Sequence, residues 1–137
     1  MSDYKDPSLP VDERVDCLLA TMTLKEEVGQ LRQPKGWNTY VRKGNDITLS
    51  SAFKEEVAFG DGLGAMYGLF RADPWSGVTV ENGIPPEASA HVANMVQRYV
   101  LQNTRLGIPV LLCEECSHEQ QALGGTVLPT SLGMASA

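Results

Sequence analysis

Basic residues are scarce in this chain: 11 Lys and Arg stand against 17 Asp and Glu, a formal net charge of -6. Nucleic-acid binding needs a clustered cationic face, and this balance argues against such a partner. No apolar run approaches the roughly 20 residues that span a bilayer, which argues against a membrane partner. The opening "MSDYKDPSLPVDERV" lacks the charged-then-apolar order of a secretory leader, so the expected location is cytoplasmic. Cysteine is sparse and odd in number, with Cys17, Cys113 and Cys116 only. That does not describe the disulfide framework of a small secreted domain, and reduced thiols are expected. Internal repeats and low-complexity tracts are lacking too, which leaves a soluble globular composition without a function attached.

What is there begins with periodicity. In "PVDERVDCLLATM", Val11, Val15, Leu18, Leu19 and Met22 fall on one helical stripe, with Pro10 suited to the first turn. The following "TLKE" has the Thr23 and Glu26 spacing of a capping box, predicting a second short helix that carries Val28 and Leu31 as far as Pro34. Polar, glycine-containing sequence from 35 to 51 predicts a loop or a short irregular hairpin. Phe53 and Val57 suit a brief helix ended by a left-handed Gly60. The glycine-rich "GDGLGAMYGLF" suggests a short buried strand with Tyr67 near its end.

After the loop "RADPWSGVTVENGIPP", residues Val92, Met95, Val96, Tyr99 and Val100 predict a helix that stops at Gly107, with Arg105 in its last turn. "IPVLLCE" then reads as a strand buried on both faces, the mark of a parallel sheet. Strand, helix and strand make a right-handed βαβ unit. In parallel α/β folds, ligands gather at the carboxyl ends of the strands, and residues 113 to 118 occupy that end. The 137 residues suffice for one ordinary domain but fall short of the roughly 250 in a complete (β/α)8 barrel.

The segment "CEECSHE" admits several chemistries. Cys113, Cys116 and His118 could form a soft-ligand metal or redox site. The remaining candidates for a fourth ligand, Cys17 and His91, lie on distant or helical positions, and the flanking carboxylates disfavour a thiolate. Packing cysteines are the plainer reading, and no metal is expected. If strand geometry persists through Glu114 and Glu115, they point to opposite faces and cannot act as a glycosidase pair across one bond, although one of them can hold a polyol. His118 could orient Glu115 or cap the next turn. Trp37, Tyr40, Tyr67 and Trp75 could stack on sugars or anchor the core and loops.

Three stretches taken together resemble the amino-terminal part of glycoside hydrolase family 3. They are "DPSLPVDERVDCLLATMTLKEEVGQL", "RLGIPVLLCEECSH" and "GGTVLPTSLGMASA", and they span nearly the whole chain. The resemblance implies a fragment of a (β/α)8 TIM-like barrel, incomplete in this chain. Its leading helical arm would occupy 1–34 and its first βα units, with parallel strands, 35–137. It implies retaining hydrolysis of terminal β-linked glucosyl or xylosyl residues without a metal or organic cofactor. It also implies an Asp nucleophile and an acid/base carboxylate that both lie downstream of the last matching stretch, so no catalytic residue is assigned here.

Carried over residue by residue, the resemblance makes Glu115 the substrate-binding carboxylate, with His118, Tyr67 and Trp75 as supporting residues. The sequence has His118-Glu119 where the family has His-Gly. A carbohydrate is the implied partner. Exposed strand edges and an uncovered helical stripe predict marginal stability or self-association. A non-catalytic carbohydrate-binding or interaction module remains the alternative, with a Cys113/Cys116/His118 metal module behind it.

Overall fold

The computed structural model describes residues 4–116 and 120–137. It begins with α1 (Val11–Thr21), entered from Pro10 at the N-cap rather than within the first turn. Proline suits that position because extended φ and ψ precede the helix there. The capping box then builds α2 (Leu24–Gln30): the Thr23 hydroxyl accepts from the Glu26 amide at 3.3 Å, and the Glu26 carboxylate accepts from the Thr23 amide at 2.8 Å. A 3-10 turn over Gly36–Asn38 leads into β1 (Tyr40–Lys43) and β2 (Asp46–Leu49), an antiparallel hairpin. Gly44, at φ 62°, takes the first turn position, where a side chain would be strained.

Ser50 caps α3 (Ser51–Gly60) by accepting from the Phe53 amide at 3.1 Å. The left-handed residue ending this helix is Asp61, at φ 51°, and not the expected Gly60. Gly60 packs closely instead: a Cβ on it would lie 3.0 Å from Gly29 Cα, and one on Gly29 would lie 2.2 Å from the Gly60 carbonyl oxygen, so α2 and α3 meet backbone to backbone. Asp61 carries an ion pair to Lys25 at 2.8 Å.

β3 (Ala65–Tyr67) and β4 (Leu111–Cys113) pair in parallel, and α4 (Ser89–Asn103) lies on the connection between them. The expected strand, helix, strand order is therefore present. On the other side of β3, the Ala65 amide donates to the Arg32 carbonyl at 3.2 Å and the Tyr67 amide to the Pro34 carbonyl at 3.1 Å. Residues 32–35 thus run as a third parallel segment, with a bridge from Lys35 to Tyr67. Val92, Val96 and Val100 face inward from α4 with no exposed surface, packing with Val57, Leu63, Met66 and Leu69 to form the core. Gln97 fastens helix to strand, donating to the Val110 carbonyl at 2.7 Å and accepting from its amide at 3.0 Å.

Two further expectations change. Arg105 lies beyond the end of α4, where it pairs with Glu26 at 2.6 Å instead of interacting with the helix terminus. β4 is not buried on both faces: Leu111 is 65% exposed, and β3 is its sole strand partner among the described residues. The α1 stripe is poorly covered, in line with the expected uncovered stripe, with Val11, Val15 and Leu19 exposed. A short α5 (Ser131–Ala135) is the last element, capped by Thr130. No helix among the described residues is long and apolar enough to cross a membrane.

Candidate functional site

The carboxyl ends of the three parallel segments bring Lys35, Tyr67 and the residues after Cys113 to one edge of the sheet. As β4 runs out, its adjacent glutamates diverge. Glu114 is half-buried and accepts from the Phe70 amide at 3.0 Å, which makes it an anchor for the turn after β3. Burial raises the pKa of its carboxyl above the usual range, against the lowering effect of backbone bonds from Phe70 and Leu69. Glu115 turns the other way, toward Tyr67 and Arg71. β4 ends at Cys113, and just past it the two side chains take different directions and unlike surroundings.

Around Glu115 the polar contacts form a short chain. The Tyr67 hydroxyl donates to Glu115 Oε2 and accepts from Arg71 Nη1, and the same Nη1 lies 2.9 Å from Glu115 Oε2. Arg71 is buried, and its other edge is taken by Asp73: Nε and Nη2 lie 2.8 and 2.6 Å from Asp73 Oδ2. The guanidinium holds the Asp73 carboxyl below its usual range, while Asp73 raises the arginine further above its already high value. The hydrogen bond to Glu115 is the first cause of an upward shift of the Tyr67 phenol.

Aromatic rings wall this cluster. Trp37 and Trp75 meet edge to face with centroids 5.0 Å apart, and Tyr67 lies 6.1 Å from Trp37. The Arg71 guanidinium sits 4.7 Å from the Trp75 ring centre, and the exposed Lys35 ammonium lies 5.0 Å from the same ring. Trp75 remains 61% exposed, so part of its surface is available to a ligand. A carboxylate and an exposed indole that share one guanidinium are suited to a polyol with an apolar ring face: the oxygens accept hydroxyl hydrogens, and the indole packs on C–H groups.

Glu115 and Tyr67 are therefore in contact, and Trp75 joins them through Arg71 and Trp37. His118 lies outside the described residues, and with it the possible metal trio of Cys113, Cys116 and His118. Cys113 is half-buried and Cys116 exposed, both as free thiols. Of the other aromatics, Trp37 belongs to the cluster, whereas Tyr40 is buried in the core, where desolvation raises its phenol. His91 is exposed on α4. Sequence reading passed over Arg71, Asp73 and Lys35. The "RADPW" spacing was the available signal, since an Arg and an Asp two apart beside a Trp in a loop can fold onto one another.

No protein-family profile matches the chain. It is 32% identical to a putative β-xylosidase of Formosa agariphila, across 90% of this chain and 15% of that protein. It is 30% identical to a probable β-glucosidase C of Aspergillus oryzae, across 97% of this chain and 20% of the relative. A solved β-glucosidase structure, EmGH1 from Erythrobacter marinus, superposes with a TM-score of 0.59 at 28% identity, covering 90% of this chain and 14% of that one. The chain thus spans a fifth or less of the length of the proteins it matches. The likeness to β-glucosidases and β-xylosidases read from the sequence is borne out.

Proposed function

We propose, from that kinship with glycosidases, that this chain supplies the sugar-gripping wall of a retaining β-glycosidase of the family 3 type. Its substrates would carry terminal β-linked glucosyl or xylosyl residues. Glu115 holds hydroxyls of the sugar, with Tyr67 against it and Trp75 reached through Arg71, and neither the nucleophile nor the acid/base is assigned to a residue of this chain. In this reading residues 1–34 are the leading arm and 35–137 the first βα units of a (β/α)8-like barrel. The family 3 type is favoured by the three motif stretches. The observation that carries the reading is the placement of Glu115 just past the carboxyl end of a parallel strand, in contact with Tyr67 and with Arg71, which in turn packs on the exposed Trp75.

The chemistry stops short of bond cleavage. Retaining hydrolysis requires two carboxyl groups facing across the scissile bond, roughly 5 Å apart. Glu114 and Glu115 cannot take those parts, because one anchors a backbone amide and the other faces Tyr67 and Arg71. Binding without turnover is therefore the expected behaviour of the chain by itself. Titration with glucose, xylose and cellobiose, followed by tryptophan fluorescence, should show saturable binding that Glu115→Ala removes. Affinity unchanged in that variant would overturn the assignment of Glu115. Hydrolysis of an aryl β-glucoside by the purified chain, lost in Glu115→Gln, would overturn the claim that the reacting carboxylates lie elsewhere.

A further inference from the structure

We infer that the loop "RADPWS", residues 71–76, is an orienting device for Glu115, with Arg71 as its working part and Asp73 as the lock on Arg71. This rests on the reading of Glu115 as the sugar-binding carboxylate. Arg71 does not present itself to solvent: its side chain is 10% exposed, against 46% for Glu115. Its role is therefore to position the carboxylate rather than to touch the ligand.

The loop is built so that each residue fixes the next. Asp73 divides its two oxygens: Oδ1 accepts from the Ser76 amide at 2.8 Å, closing a turn, and Oδ2 takes Nε and Nη2 of Arg71. Two donors on one oxygen fix the plane of the guanidinium, which a lysine, with a single compact ammonium, could not reproduce. Trp75 then covers the guanidinium at 4.7 Å from its ring centre. With that edge committed, Nη1 is directed to Glu115 and to the Tyr67 hydroxyl, and both converge on Glu115 Oε2. A carboxylate held at one oxygen by two donors has lost its freedom to rotate about the terminal bond. The remaining directions around it are then fixed in space, which is what discrimination among sugar hydroxyls requires.

The inference extends to specificity. An unheld glutamate could follow the hydroxyls of many polyols, whereas this one offers a fixed geometry. Affinity for the preferred sugar should fall when the hold is loosened, and the difference between glucose and xylose should narrow with it.

The test uses the chain as it stands, with glucose, xylose and cellobiose as ligands and a thermal melt of every variant. Asp73→Asn keeps an oxygen for the Ser76 amide but weakens the lock, and Arg71→Lys keeps the charge but loses the fork. Each should lower affinity about tenfold, the scale of one lost charge-assisted hydrogen bond. In a Glu115→Gln background, either change should add little, because the group being oriented has already been altered. A general structural role would lower affinity by the same further factor in both backgrounds. Weakening by Glu115→Gln, with Arg71→Lys and Asp73→Asn binding as wild type or acting additively, overturns the orienting role and leaves the binding reading intact. Wild-type affinity in Glu115→Gln, or no saturable binding by the wild type, overturns the binding reading and this inference with it.

Discussion

Glu26 offers the most direct test of how the helical arm is tied to the sheet. Its side chain is 3% exposed and accepts from Arg105 Nη2 at 2.6 Å, Arg105 Nε at 2.9 Å and the Thr23 amide at 2.8 Å. These bonds, led by Arg105, lower its pKa from 4.5 to about 2. At about 1.4 kcal/mol per pH unit, that corresponds to an upper bound on the order of 3 kcal/mol. Arg105 is 53% exposed, so solvent screens the pair and the expected contribution is ~1–2 kcal/mol.

The sign follows from the lowered pKa. Stability from Glu26 is fully present above pH 4.5 and is lost as pH falls toward 2. Glu26→Gln keeps the shape of the side chain and removes the charge, so wild type should exceed it by ~1–2 kcal/mol at pH 7. The gap should close on acidification through that window. Urea unfolding followed by circular dichroism at several pH values measures it, and a double-mutant cycle with Arg105→Gln isolates the pair. A gap that stays constant down to pH 3, or a cycle with no coupling energy, would refute the reasoning.

Packing and local chemistry supply the other tests. Gly29→Ala gains helix propensity of up to ~1 kcal/mol, but its Cβ would meet the Gly60 carbonyl at 2.2 Å, so a net loss of stability is expected. Gly44→Ala meets nothing within 4 Å and should cost only the left-handed strain, about 1 kcal/mol. A Gly29→Ala protein that melts higher than wild type would show that the two helices do not meet as described. Gln97→Leu strands both backbone groups of Val110, a residue 4% exposed, and should cost about 1–3 kcal/mol in chemical unfolding. Absorbance titration of Tyr67, taken by difference from Tyr67→Phe, should move to lower pH in Glu115→Gln, since Glu115 is the main cause of its upward shift. An unmoved titration would deny that contact.

Local order in this chain was legible wherever it depends on neighbours in sequence. The α1 stripe, the Thr23–Glu26 capping box and the valines of α4 announce helices because the 3.6-residue period places them on one side. The divergence of Glu114 and Glu115 was anticipated from strand alternation, although the strand itself ends one residue earlier, at Cys113. Contacts between distant segments were not. Glycine's close-packing role at Gly60, which shifts the left-handed position to Asp61, depends on where α2 crosses α3. Arg105 reads as a helix-end cation until the fold brings Glu26 to it from 79 positions away. The site follows the same division: the sequence alone identified Glu115 as a carboxylate at a strand end, and only parallel pairing of β3 with β4 set Tyr67 and Arg71 against it. Backbone geometry acts over a few residues and is written locally, whereas the partners of a buried charge are chosen by the packing of whole elements.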